Sequence, residues 1–225
     1  MKRSDYETLE RYMLDCMTDS AHDSEHIYRV LFVALDIARF EEGVDADVLI
    51  AACLLHDIGR REQFENPSLE HALVGAEKAR KFLLAQGFDQ NFTDRVASCI
   101  AKHSYRRNDP PSAIEEKILF DADKIDVSGA LGIARTLIYA GIVGEPLYSL
   151  DPAGNVSRGE AGEPPSFFRE YRLKLEKLYD RFFTARGREI AAQRRDAAAS
   201  FCESLYEEVR TARESGKALL QDRLE

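Results

Sequence analysis

"VLIAACLLHDIGR", Val48 to Arg60, decides how the chain is read. Its run of small and apolar residues reads as a helix buried on nearly every side. The run then delivers His56 and Asp57 side by side and stops at Gly59. An imidazole next to a carboxylate at the end of a buried helix has two readings. Either it is a polar helix terminus, or it is part of a binding site whose other residues come from elsewhere in the chain.

Working outward, helical spacing dominates and strand-like alternation is hard to find. Upstream, Tyr6, Leu9, Met13 and Cys16 with Met17 form one stripe, so the chain opens with a helix. Asp23 or Ser24 is the N-cap of the next, which runs through Ile27, Val30, Leu31, Ala34, Leu35 and Ala38 and stops near Gly43. Asp45 starts the helix that holds the quoted stretch. Downstream, Ser68 begins a helix through Leu69, Leu73, Ala76, Ala79 and Leu83, ended by Gly87. The pattern predicts a further helix from Thr93 to Lys102, and another capped by Ser112 that runs through Ile114, Ile118 and Leu119 into "FDADKIDVSGALGIARTL".

The interval 144–165 is rich in Gly, Pro and polar residues and reads as a long loop, a candidate lid. Phe167 to Arg186 and Glu189 to about Arg210 read as two more helices, the second Ala- and Arg-rich and suited to the surface or to a partner. The expectation is an all-α protein: a core over 1–143, a loop over 144–165, and C-terminal helices over 166–225 that pack on the core or on a partner.

The chain's 225 residues, 44% apolar and 32% charged, suit a soluble globular protein with a sizeable core. A net charge of −9 argues against a nucleic-acid-binding surface, yet leaves room for a small anionic substrate opposed by local arginines. Cys16, Cys53, Cys99 and Cys202 are scattered, which suggests neither a zinc knuckle nor a disulfide framework. With no signal-like or membrane-length apolar run, a cytoplasmic setting is expected.

Five histidines are placed informatively: His22 and His26 open one helix, His56 ends the next, His71 opens another and His103 ends the one after. Helix ends from different helices can converge at one rim of a bundle. Asp57 stands beside His56, while Asp121, Asp123 and Asp126 punctuate an otherwise apolar helix, where carboxylates are costly unless paired or bound to a cation. Imidazole with carboxylate suits Mn, Fe, Co, Ni, Mg or Zn, and the lack of thiolates argues against a purely structural zinc. Arg29, Arg60, Arg61, Arg106 and Arg107 lie close by in sequence, and a metal with arginines suits a phosphate ester. One helix-terminal histidine is most often a cap or a solvated residue; the ordered set is what points to a site.

With these elements the sequence resembles the HD-domain superfamily of metal-dependent phosphohydrolases. The likeness runs from "HDSEHIYRV" through "LLHDIGR", "LEHALVGAEKA" and "IAKHSYR" to "DADKID", about residues 20 to 140, and looks closest to small stand-alone hydrolases. It implies a core of about five helices. It also implies that His26, His56, Asp57 and Asp123 hold the principal metal, with Asp121 as the alternative last ligand. His71 and His103 would hold a second metal, giving one or two per chain. Asp57, His71 and His103 become the catalytic candidates, with His22 a further choice of general acid; Arg29, Arg60, Arg61 and Arg106 become the phosphate-binding ones. The implied activity is hydrolysis of a phosphate ester or anhydride of a nucleotide or related small molecule by a metal-activated water. Two other readings stand beside it: a silent metal- or nucleotide-binding sensor, and an interaction protein that dimerises through its C-terminal helices.

Overall fold

The computed structural model describes residues 1–17, 24–104 and 109–224. The fold is all-α, as the periodicity predicts; among the described residues the only strand-like pairing is one isolated antiparallel bridge, Leu150 to Val156. The chain forms two compact units, Met1–Asp126 with Phe183–Gly187, and Val127–Phe182 with Arg188–Glu225. Residues 127–143, grouped by the sequence reading with the core, therefore belong to the second unit.

The first unit contains α1 (Arg3–Cys16), α2 (Ser24–Ala38), α3 (Ala46–Leu55), α4 (Arg60–Glu65), α5 (His71–Ala85), α6 (Gln90–Lys102) and α7 (Ile114–Asp126). At the centre lies α3, with Val48, Leu49, Ala51, Ala52, Cys53, Leu54 and Leu55 buried among α1, α2, α6 and α7. Burying each of its leucines stabilises the fold by about 1.5–3 kcal/mol. The Asp45 carboxylate accepts from the N–H groups of Asp47 and Val48 and so caps the helix as the sequence predicts.

Two helix starts differ from expectation. The Asn66 side chain accepts from Ser68 N at 3.2 Å and Ser68 Oγ at 2.7 Å, so Ser68 is taken up in a turn and α5 begins at His71. Asp89 caps α6 by accepting from Phe92 N, which starts that helix at Gln90 rather than Thr93. Gly59 lacks positive φ; its role is close approach, because a Cβ there would lie 2.3 Å from His71 O and 2.6 Å from Gly75 N. The short α4 that follows Gly59 is a helix that periodicity did not reveal.

The second unit contains α8 (Gly129–Val143) and α9 (Phe167–Glu170), with a wide π-type turn over Tyr171–Leu175 and a 3₁₀ turn over Leu178–Asp180. The last helix, α10, runs unbroken from Ala185 to Leu224. Ile133, Val156, Phe167, Phe168, Ala198 and Cys202 make the unit's core. Residues 144–166 carry no helix and are tied within the unit by Arg158, whose guanidinium pairs with Glu203 and lies 3.8 Å from the Tyr206 ring centre.

The expected helix over 167–186 fails because the N–H groups of Phe183 and Thr184 donate to the Asp121 carboxylate instead of continuing a helical ladder. Gly187 does not break α10. It is glycine where a Cβ would stand 2.6 Å from Asp121 Oδ2. All four cysteines are free, and Cys53, Cys99 and Cys202 are buried. No single helix among the described residues is long and apolar enough to cross a membrane.

Candidate metal centre

Five segments of the first unit deliver their functional side chains to one place. His26 comes from the first turn of α2, His56 and Asp57 from the turn after α3, His71 from the start of α5, His103 from just past α6, and Asp123 from α7. All six are buried; His56 and His103 are fully so. Gly59 and Gly75 let the His71 backbone close on the His56–Asp57 turn, and Lys78 Nζ ties that turn to α5 by donating to Ile58 O at 2.6 Å.

The outward nitrogen of each imidazole settles its tautomer. His56 Nδ1 donates to Cys53 O at 2.7 Å and His103 Nδ1 to Ile100 O at 2.6 Å, because a carbonyl can only accept. His26 Nδ1 donates to Asp126 Oδ2 at 2.8 Å. His71 Nδ1 donates to Gln63 Oε1 at 2.9 Å, and the Gln63 amide is oriented by its own donation from Nε2 to Leu69 O. In their neutral forms, all four histidines therefore turn an Nε2 lone pair inward.

Those lone pairs meet face to face. His26 Nε2 is 3.4 Å from His56 Nε2, and His71 Nε2 is 3.2 Å from His103 Nε2. Asp57 lies between the two pairs. Its Oδ2 is 3.6 Å from His26 Nε2 and 3.8 Å from His56 Nε2, while its Oδ1 is 3.6 Å from His71 Nε2 and 3.4 Å from His103 Nε2. Asp123 Oδ1 completes the first side at 3.5 Å from His26 Nε2.

Neutral imidazoles so placed repel unless a cation sits between, so the donor set fits divalent metal on chemical grounds. Two groups in particular, His26–His56–Asp123 and His56–Asp57–His103, could each hold an ion. Electrostatics agree. Burial pushes His56 down to about 4 and His71 to about 3, keeping their lone pairs available. Burial also disfavours charge on His26, but Asp123, Asp126 and Asp57 outweigh it and raise that imidazole to about 10. The carboxylates call for positive charge at this spot. Asp57 and Asp123 resist burial through neighbouring cations, Arg60 and Lys124 foremost, and stay well below the usual carboxylate range.

A profile of the HD domain matches residues 23–128, the span that holds every one of these side chains. Residues 23–128 make an HD domain. Over 209 residues it is 27% identical to the uncharacterized protein YpgQ of Bacillus subtilis, covering 90% of this chain and 93% of that one. The crystal structure of YpgQ in complex with ADP matches with a TM-score of 0.69 at 28% identity, covering 89% of this chain and 97% of the other. An HD-superfamily hydrolase of Bacillus thuringiensis matches at 0.69 and 28%, over 92% and 98%. A Lactobacillus plantarum protein matches at 0.73 and 25%, over 92% and 98%.

Within the HD domain the expected residues fall into distinct places. His26, His56, Asp57, His71, His103 and Asp123 converge. Asp121 faces away: its Oδ2 accepts from Thr184 N and Thr184 Oγ1, both at 2.7 Å. Arg60 donates from Nε to Asp57 Oδ1 at 2.9 Å, at the edge of the cluster. Arg29 grips Asp126, and Arg61 pairs with Glu65 on an exposed face. His22, Arg106 and Arg107 lie outside the described residues. Sequence reasoning missed Gln63 altogether and singled out Asp126 only as a buried carboxylate in need of a partner or a cation, without a partner among the histidines. A helical Asp at spacing three from Asp123 was the one available signal.

Proposed function

We propose that the chain is a divalent-metal-dependent phosphohydrolase that cleaves a phosphate ester or anhydride of a nucleotide or related small molecule. The observation that carries this reading is the set of four inward imidazole lone pairs divided by the Asp57 carboxylate. His26, His56, Asp57 Oδ2 and Asp123 would hold the principal ion; His71, His103 and Asp57 Oδ1 would hold a second. A bound ion supplies Lewis acidity toward water and toward phosphoryl oxygen. The protein's part is to fix donor positions through buried Nδ1 hydrogen bonds, so that little reorganisation accompanies charge development. Arg60, beside Asp57 and only partly buried, is the nearest arginine able to face a phosphate.

The HD domain supports a hydrolase, and the ADP complex of YpgQ supports a nucleotide as the ligand class. The test is elemental analysis of purified protein, followed by a phosphate- and pyrophosphate-release screen with nucleoside mono-, di- and triphosphates in Mn²⁺. One or two ions per chain with turnover, both lost in Asp57→Ala, is the expected result. Metal without turnover would replace hydrolysis with nucleotide sensing, and no metal would remove the proposal.

A further inference from the structure

We infer that Asp126, gripped by Arg29, is the positioning residue that fixes the tautomer and aim of His26, and that Arg29 serves this pair rather than a substrate phosphate. The inference rests on the proposed metal centre and adds residues to it. Asp126 is 3% exposed and stands on α7, whereas His26 and Arg29 stand one turn apart on α2. Its Oδ2 accepts from His26 Nδ1 at 2.8 Å and from Arg29 Nη2 at 3.2 Å, while its Oδ1 accepts from Arg29 Nε at 2.8 Å. Both carboxylate oxygens thus meet donors. Only a group that accepts at both atoms satisfies this arrangement.

The consequence is specific. With Asp126 accepting, Nδ1 keeps its proton when an ion displaces the one on Nε2, and the Nε2 lone pair then faces Asp57, Asp123 and His56. An anionic partner also makes Nε2 a stronger donor. Arg29 holds the plane of the buried carboxylate through a forked contact, so the edge carrying Nε and Nη2 is engaged. Phosphate recognition through that edge would require Arg29 to leave a buried anion behind.

An amide at position 126 exposes the logic. In Asp126→Asn, the NH₂ group must face either Arg29 Nε or His26 Nδ1, and both are donors. Facing His26, it drives the proton to Nε2 and removes the inward lone pair. Taking away the guanidinium frees the amide to turn its oxygen to His26. The double variant Asp126→Asn/Arg29→Met is therefore expected to bind metal better than Asp126→Asn alone, a reversal that a merely structural role would not produce.

The experiment measures Mn²⁺ affinity of the full chain by equilibrium dialysis for wild type, Asp126→Asn, Arg29→Met and the double variant. Far-UV circular dichroism checks each fold, and ¹⁵N NMR of the proteins loaded with diamagnetic Zn²⁺ in place of Mn²⁺ reports which His26 nitrogen keeps its proton. Expected are a roughly 10–100-fold loss in Asp126→Asn with the proton moved to Nε2, and partial recovery in the double variant. Unchanged affinity in Asp126→Asn overturns the role of Asp126. A double variant no better than Asp126→Asn, or an Arg29→Met protein with wild-type metal affinity and weakened binding of inorganic phosphate, overturns the role of Arg29. Wild-type protein that takes up no Mn²⁺ overturns the metal centre itself, a result distinct from either.

Discussion

Each inward nitrogen of the cluster is defined by what its ring does on the other side. For His56 and His103 that partner is a backbone carbonyl three residues back, so helix geometry itself sets the tautomer. For His71 the partner is the Gln63 amide, a side chain from the short α4. Gln63→Ala removes that acceptor and lets the His71 ring rotate. The expected outcome is a roughly tenfold weaker second ion, with the first unaffected, read as Mn²⁺ per chain falling from two to one at limiting concentration. Retention of both ions would show that His71 needs no such restraint. Asp57→Ala, which deletes the oxygen on each side, is expected to lose both ions and phosphate release together. At this scale the sequence revealed donor types well, because His and Asp at helix junctions are uncommon companions of apolar runs. It concealed Gln63 and the orienting part of Asp126, since a glutamine in a polar helix has no pattern to betray it and only its spatial neighbour gives it meaning.

Helices carry these side chains, so their ends matter most. Glu116 anchors the start of α7, accepting from Ser98 Oγ at 2.6 Å, Ser112 N at 2.7 Å, Ala113 N at 3.1 Å and Lys102 Nζ at 3.2 Å. Burial alone would raise its carboxyl, but these bonds outweigh burial and hold it at about 2 against an ordinary 4.5. A depressed folded value stabilises the protein above the unfolded value, and that contribution fades as pH falls from 4.5 toward 2. Glu116→Gln is expected to cost about 2 kcal/mol at pH 7, and urea melts should show the gap to wild type closing as pH drops below 4.5. A gap constant with pH would mean that packing, not charge, is at stake. Gly59→Ala should cost about 3 kcal/mol, since the added methyl meets the backbone of His71 and Gly75 rather than a yielding side chain. The bodies of α2, α3 and α6 were legible from periodicity. Their neighbours' ends were not: Asn66 captured Ser68, and Asp121 captured the N–H groups of Phe183 and Thr184, both through side chains whose reach sequence spacing does not encode.

Taken whole, the chain keeps the entire cluster inside its first unit, assembled from segments as far apart as His26 and Asp123. An unfolded chain has no such assembly, so an ion that binds the cluster binds the folded state alone and must stabilise it. At a free Mn²⁺ concentration about a hundredfold above Kd the gain is about 2.7 kcal/mol, which for a protein of this size raises Tm by roughly 5–10 °C. The Kd behind that gain is set by the two pairs of imidazole nitrogens, 3.4 Å and 3.2 Å apart, that would face the ions. Thermal melts followed by circular dichroism should therefore show a rising Tm with added Mn²⁺, reversed by a chelator. Asp57→Ala should melt at one temperature with and without the ion, because the carboxylate that links the two pairs is gone. An equal rise in the variant would assign the stabilisation to surface carboxylates of this acidic chain and would separate the cluster from metal binding.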